Sequence, residues 1–235
     1  RFAPAVVSLF DPFPEGLQGE IEGAGVPVWF LSKKPGFDFR IYPRLGRVVR
    51  EFRPDIVHTH SYVMRYTLPA ARRAAMVHTV HNLAAREVDR VGRWIHRAGF
   101  RMGAVPVAVA GEVARSFEAA YGFPPIVIPN GIETARYLRP GARAAWRRAN
   151  GFGEDEFLAV SVARLDPQKN PLGLVEAFQR ARTGGRLLLA GDGCLRGRIA
   201  GERVHCLGVR ADVPELLAAC DLFALASHWE GHPVA

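Results

Sequence analysis

Short runs of apolar, often β-branched residues alternate along this chain with longer stretches whose apolar positions recur at helical spacing, the pattern of parallel βαβ units. Runs at about 5–10, 26–31, 55–60, 75–80, 105–110 and 126–128 read as strands, and after a break so do 157–163, 186–190, 204–207 and 222–226. Helical patterns cover 40–53, 111–121, 171–182 and 212–220. The first of these has a defined stop, because Pro54 cannot continue a helix and Asp55 opens the next strand. The expected fold class is α/β, two doubly wound sheets in series. Pro, Asn and Gly cluster in IPNGIE (128–133), and a short Arg-rich helix follows at about 140–149. That punctuation predicts a hinge near 134–152 and domains at 1–138 and 139–235. Both ends look cut: the chain begins almost directly in a strand and stops at GHPVA, where a covering helix should begin.

Composition narrows the class. Of 235 residues, 49% are hydrophobic and 23% charged, close to globular averages and far from a disordered tail, a collagen-like fibre or a disulfide-dense mini-protein. No apolar run reaches the 18 or so residues of a membrane span. Asp11, Glu15, Glu20 and Glu22 occupy the stretch where a signal peptide would be cationic and then apolar. Cys194, Cys206 and Cys220 form no CxxC pair and read as reduced core thiols. A cytoplasmic protein is expected.

The formal charge is +8, and of 31 basic residues only Lys33, Lys34 and Lys169 are lysines. Such a balance suits anionic partners. Residues 40–101 hold 13 arginines against Glu51, Asp55, Glu87 and Asp89, so the excess is regional. Within it, REVDRVGRWIHRAGFRMG (86–103) sets Val88, Val91, Ile95, Ala98 and Met102 at helical spacing beside Arg90, Arg93, Arg97 and Arg101. That stretch reads either as a membrane-surface helix or as a core-packed helix with a solvated basic face, weakened by Gly92 and Gly99 in both cases. Nucleic acid is not expected as a partner: the basic residues spread over several elements, with no recognition helix, paired RNA-binding aromatics or zinc module.

Three loops carry candidate chemistry. In VARLDPQKNPLGLVEAF (162–178), Arg164 and Lys169 lie between a strand's carboxyl end and a helix start. In open α/β sheets that edge binds ligands, and two cations there make a diphosphate clamp, although a solvated surface loop has the same spacing. In LLLAGDGCLRGR (187–198), Gly191 and Gly193 permit close backbone approach to a ligand, but the third glycine of a dinucleotide fingerprint is missing. In LASHWEGHPVA (225–235), Glu230 precedes an expected helix start at about Pro233, a place for sugar hydroxyls and an anion. Alone, it also reads as an ordinary turn residue.

Together with AGDGCLR, LGVRADV, PDIVHTH, HTVHNL and IPNGIE, these loops resemble, in order and spacing, the retaining GT-B glycosyltransferases of family 4, the group 1 type, over nearly the whole chain. The resemblance implies two Rossmann-like domains, both incomplete here, and transfer of a sugar from a nucleotide diphosphate sugar to a glycan, lipid-linked sugar or small-molecule acceptor with retention of configuration. It implies no cofactor and no metal, the leaving phosphate taking the acceptor's proton. By the same resemblance Arg164 and Lys169 bind the donor diphosphate, and Glu230 holds donor-sugar hydroxyls as the first carboxylate of an E-x7-E motif. The amides of Gly231 and His232 contact sugar and phosphate, the Arg210 loop meets the base, and His81 reaches the donor sugar from the N-terminal side. Lipid-linked acceptors in such enzymes imply peripheral contact with an anionic membrane, at its inner face. The motif's second glutamate would fall three residues beyond Ala235, and the first strand with its glycine-rich loop would precede residue 1.

A metal reading of His58, His60, His78 and His81 is disfavoured because no Asp or Glu completes a recognisable signature; His58, His60 and His78 read as packing or loop-orienting residues. The alternative functions are a sugar-nucleotide epimerase of the same fold and a non-catalytic nucleotide-sugar-binding protein. The combination of Arg164, Lys169 and Glu230 favours transfer.

Overall fold

A computed structural model describes residues 2–12, 16–181 and 184–234. Glu15 and Arg182 lie outside them. The chain forms two compact units, Arg1–Pro129 and Asn130–Ala235. In the first, the elements run β1 (Val6–Ser8), α1 (Gln18–Gly23), β2 (Val28–Phe30), α2 (Ile41–Phe52), β3 (Ile56–His60), α3 (Met64–Ala70), β4 (Ala75–Val80), α4 (Ala84–Glu87), α5 (Arg90–Arg101), β5 (Val105–Ala108), α6 (Gly111–Tyr121) and β6 (Ile126–Val127). In the second they run α7 (Ala142–Ala149), β7 (Leu158–Val162), α8 (Pro171–Arg180), β8 (Arg186–Ala190), β9 (Val204–Gly208), α9 (Val213–Ala219) and β10 (Leu222–Phe223).

Every strand pairing is parallel. β1 pairs with β2, the first unit's larger sheet has the order β3-β4-β5-β6, and the second unit's sheet has the order β10-β7-β8-β9. The second order is half of a doubly wound sheet, in which winding reverses between the first strand, β7, and the fourth, β10. A crevice opens at such a reversal, outside the carboxyl ends of the strands.

Burial on both faces explains the unbroken apolar strands. In β7, Leu158 and Val160 join Trp146, Phe152 and Leu216 on one side, while Ala159 joins Val175, Phe178, Leu187 and Leu189 on the other. The first unit packs Phe100, Phe117, Val113 and Met64 into one cluster and Ile41, Leu45, Leu31 and Tyr66 into another. α2 buries Ile41, Leu45 and Val48 and ends where Arg53 turns left-handed (φ 52°), just before Pro54.

Three expectations change. The predicted helix over 86–103 is broken: Asp89 caps a new helix by accepting from Gly92 N (2.6 Å), which separates α4 from α5. The buried face of α5 is Gly92, His96, Gly99 and Phe100, whereas Val91, Trp94 and Met102 are exposed. Gly99 is a packing device, since a Cβ there would strike Met64 Sδ on α3. Cys194 is exposed, so only Cys206 and Cys220 are partly buried thiols.

α3, not among the helical patterns read above, carries Pro69 near its end. Arg147, fully buried on α7, was read only as part of an Arg-rich helix. Its guanidinium donates to the carbonyls of Ala219 (2.9 Å), Gly153 (2.7 Å), Glu154 (2.9 Å) and Glu156 (2.6 Å) and to Asp221 Oδ2 (2.9 Å). His78 and His96 are also buried, ring centroids 4.5 Å apart. Only His78 Nδ1 is bonded, to Thr59 Oγ1 at 2.7 Å, and His78 Nε2 and both His96 nitrogens lack partners. Burial, reinforced for His96 by the Arg65 cation, lowers the pKa of His78 to about 2 and of His96 to about 4.

Two measurements follow from these buried groups. Arg147→Met should cost about 1–3 kcal/mol in urea unfolding, because it takes this donor from the carbonyls of Gly153, Glu154 and Glu156 while Asp221 keeps Arg143 and Leu158 N; a loss under about 1 kcal/mol would show the network to be incidental. A histidine whose folded pKa is depressed contributes stability that is complete above pH 6.5 and fades as pH falls towards the folded value. His96→Phe should therefore remove up to about 2–3 kcal/mol of the stability lost between pH 7 and 4, and an unchanged pH slope would contradict the assignment.

Candidate functional site

The crevice position in the second unit falls where the loops after β7 and β10 meet. After β7 the chain turns at Asp166, whose carboxylate accepts from Lys169 N at 3.1 Å and pairs with Arg164 Nη1 at 2.6 Å. Asn170 adopts a left-handed conformation (φ 49°) and caps α8 by accepting from Gly173 N at 3.2 Å, with Pro171 in the first helical turn. The Asn170 amide also donates to Ala226 O (3.2 Å), Gln168 Nε2 donates to Trp229 O (3.2 Å), and His228 N donates to Gln168 O (2.9 Å). These bonds hold the two loops together.

Across this brace Lys169 Nζ meets Glu230 Oε1 at 2.6 Å, with side chains 17% and 23% exposed. Two of the candidates, 61 residues apart in sequence, are thus direct partners. Arg164 remains 69% exposed despite its pair with Asp166. Beside it lies a cavity of about 310 Å³ lined by Val162, Arg164, Ala190, Gly191, Val209 and Arg210, among others. A largely aliphatic slot with a guanidinium at its mouth suits a flat ring bearing an anionic tail. The Arg210 side chain itself is turned to Asp212 (2.7 and 2.5 Å), which also accepts from Trp146 Nε1 at 2.8 Å.

The glycines have a packing reason that the sequence does not announce. A Cβ on Gly191 would enter Ala163 O, and one on Gly193 would enter Leu165 O. The loops after β7 and β8 run against each other, with Leu165 N donating to Asp192 O (2.8 Å) and Leu195 N to Leu165 O (2.9 Å). Both glycines therefore serve loop packing, and Gly191 also lines the cavity. At the chain's end Gly231 is half-buried and His232 exposed. His232 O accepts from Asn130 Nδ2 at 3.2 Å.

His81 belongs to the first unit, just past β4. Its Nε2 lies 2.8 Å from His60 Nδ1, and His58 Nε2 lies 2.7 Å from Thr79 Oγ1. Burial, aided by neighbouring imidazoles, lowers the pKa of His81 and takes that of His60 to about 4, so both are neutral at pH 7 and one donates to the other. The sequence reading passed over Glu87, whose Oε1 accepts from His81 N at 3.4 Å. Burial raises this carboxyl to about 7 against the opposing pull of its hydrogen bonds from His81, Asn82 and Ser61. Asp166, Gln168, Asn170 and Glu87 were all missed; the Asn-Pro pair before an apolar helix pattern was the available signal for Asn170.

The model of Glycosyltransferase Family 4 matches residues 2–136, and that of Glycosyl transferases group 1 matches residues 142–235. Among curated proteins, the chain is 28% identical to the UDP-Gal:alpha-D-GlcNAc-diphosphoundecaprenol alpha-1,3-galactosyltransferase of Escherichia coli, over 95% of this chain and 65% of that one. It is 30% identical to a D-inositol 3-phosphate glycosyltransferase of Geodermatophilus obscurus over 66% of this chain and 35% of that one. The chain thus spans about two thirds or less of the length of these relatives. Among solved structures, Anabaena HepE in complex with UDP and glucose superposes with a TM-score of 0.78 at 22% identity, covering 95% of this chain and 66% of that one. Sucrose-phosphate synthase of Thermosynechococcus elongatus superposes with a TM-score of 0.75 at 18% identity, covering 100% and 77%. At these identities the likeness is one of fold.

Proposed function

Because the chain belongs to the glycosyltransferases of family 4 and group 1, we propose that it transfers a hexose from a nucleotide diphosphate sugar to a glycan or lipid-linked acceptor with retention of configuration. The observation that carries this reading is the braced pair Lys169–Glu230 beside the cavity that Arg164 lines. In it, the aliphatic slot takes the base, Arg164 and Lys169 take the diphosphate, and Glu230 accepts hydroxyls of the donor sugar. Gly231 and His232 offer their amides to sugar and phosphate.

Charge accounts for the division of labour. Bond cleavage leaves a full extra negative charge on the departing phosphate, and a preorganised ammonium stabilises that state most where water is scarce. Lys169 is the more buried of the two cations and is already fixed by Glu230, so little reorganisation accompanies the step. The departing phosphate oxygen takes the acceptor hydroxyl's proton on the same face as attack, which retains configuration without a protein nucleophile, a cofactor or a metal. Neutral His81 fits a hydrogen-bonding role towards donor-sugar hydroxyls. The UDP bound to HepE and the lipid-linked acceptor in the name of the E. coli relative support the donor and acceptor classes.

The exposed face of α5 fits peripheral contact with an anionic, inner-leaflet surface. Trp94, Val91 and Met102 are 73%, 64% and 63% exposed there, on the helix that carries Arg90, Arg93, Arg97 and Arg101. No helix among the described residues is long and apolar enough to cross a membrane.

Calorimetric titration with UDP, GDP and ADP should show selective binding of one nucleotide, abolished in an Arg164→Ala/Lys169→Ala variant, and Lys169→Ala should lower transfer by about 10² or more. Absence of binding to the folded chain, or wild-type turnover of the variant, would sink the reading. Flotation with vesicles containing phosphatidylglycerol should recover the protein, and Arg93→Glu/Arg97→Glu should release it; equal recovery with neutral vesicles would exclude electrostatic docking.

A further inference from the structure

The two loops that carry the clustered imidazoles of the first unit meet at one carboxyl group. Glu87 ends α4 and folds back on the loop from which that helix starts, where its Oε1 accepts from His81 N at 3.4 Å. Asn82 N donates to the same carboxyl, and so does the hydroxyl of Ser61 in the turn after β3. Ser61 directly follows His60 and sits in the left-handed region (φ 51°), a conformation that a residue other than glycine keeps only where surrounding contacts hold it. The far end of the β4 loop has its own tie, Ala84 N donating to Ser116 Oγ at 2.9 Å. His60 Nδ1 and His81 Nε2, 2.8 Å apart, bridge the two loops, and the His58 ring lies 4.4 Å from that of His60, centroid to centroid.

The neighbours of this carboxyl come from every element around it. His81 and, behind it, His60 stand at the ends of β4 and β3, both neutral at pH 7. Tyr121 faces it from α6, its hydroxyl pushed up to about 12, chiefly by burial and further by the Glu87 charge against the pull of Arg93. Lys33, Arg65 and Asp89 share a cavity wall with it, and Arg86 adjoins it on α4. Burial opposes ionisation and the three donors favour it, a balance that leaves Glu87 titrating near 7. The carboxylate accepts all three bonds with charge assistance. The protonated acid puts an O–H among main-chain donors, and its remaining acceptor bonds weaken.

We propose that Glu87 is a positioning residue: as a carboxylate it ties the turn after β3 to the loop after β4 and thereby fixes the His60–His81 imidazole pair in a single geometry. The inference rests on the glycosyltransferase reading, in which His81 hydrogen-bonds donor-sugar hydroxyls, and adds to it the group that sets the place of that ring. Glu87 acts through the histidines and touches neither substrate. It holds His81 through that residue's own amide, and His60 through the hydroxyl of the residue that follows it. Weakening the clamp therefore moves both partners of the 2.8 Å contact at once.

The test is nitrogen-15 NMR of the histidine rings in the full chain between about pH 5.5 and 8.5, on the wild type and on Glu87→Gln and Ser61→Ala variants checked by circular dichroism. The His60 and His81 nitrogens should report one shared step centred near pH 7, well above the value of about 4 at which His60 itself takes a proton. On both sides of the step each ring should keep the neutral pattern of one N–H and one bare nitrogen. The step should vanish in Glu87→Gln. Ser61→Ala removes a bond that favours the carboxylate and should move the midpoint up, by about 0.5–1 in pH. The absence of a step, a step that survives Glu87→Gln, protonation of either ring at the step, or a Ser61→Ala midpoint at or below that of the wild type would overturn the proposal. Should Glu87→Gln fail to fold, the Ser61→Ala midpoint decides. Nucleotide titration is read separately: failure of UDP, GDP and ADP to bind would strike the glycosyltransferase reading and leave the clamp standing, whereas a missing step alongside intact nucleotide binding would strike the clamp alone.

Discussion

Asp221 and Arg147 hold the second unit in the arrangement on which its chemistry depends. Asp221 stands at the start of β10 and accepts from Leu158 N, at the start of β7, at 2.8 Å. Arg147 and Arg143 bind the same carboxylate from α7, at 2.9 and 2.6 Å. Burial would raise that carboxyl, but the bonds from Leu158, Arg143 and Arg147 outweigh it and hold its pKa below the usual value. The contact therefore fixes the amino ends of the two strands between which the winding reverses. Once those ends are set, strand pairing carries the spacing to the carboxyl ends, where Lys169 and Glu230 project from the following loops. A buried guanidinium with five oxygen partners is costly to desolvate, yet here nearly all its donors are satisfied, which is the condition under which such a group is tolerated.

The same logic of paired charge recurs at the working edge. Lys169 has Glu230, Arg164 has Asp166, and Arg210 has Asp212. Each cation is positioned by a carboxylate before an anionic ligand is considered, and the three differ chiefly in access. Arg164 is mostly in water, where a diphosphate is captured with little desolvation but weak Coulomb attraction. Lys169 is mostly out of it, where attraction to a developing charge is stronger. In the proposed donor site, burial rather than formal charge divides capture and stabilisation between the two residues.

What the sequence disclosed tracks what local rules determine. Strand and helix order, the stop at Pro54 and the clustering of Arg164, Lys169 and Glu230 at one sheet edge all follow from periodicity, proline chemistry and the topology of parallel sheets. Features set by tertiary contact were not legible in the sequence. Val91 and Met102 have helical spacing but face outward, because Gly92 and Gly99 let α5 approach α3 on the opposite side. Gly191 and Gly193 read as room for a ligand, and the sequence does not reveal that the neighbouring loop also demands them. Glu87 carries no motif, and its character comes from burial beside His81 and Ser61, neither of which is apparent from its neighbours in sequence.

The two units also differ in how they can be read at all. The second builds its site from backbone geometry, with loops so close that only glycine fits, a left-handed Asn170 and a Pro171 helix start, and such requirements leave fixed residue types at fixed spacings. The first joins side chains on separate elements: His60 and Ser61 at the end of β3 and just beyond it, His81 after β4, Glu87 at the end of α4. Any of several residue types could accept from those loops at the place of Glu87, so no short pattern records the arrangement, and it becomes visible only when the elements are packed.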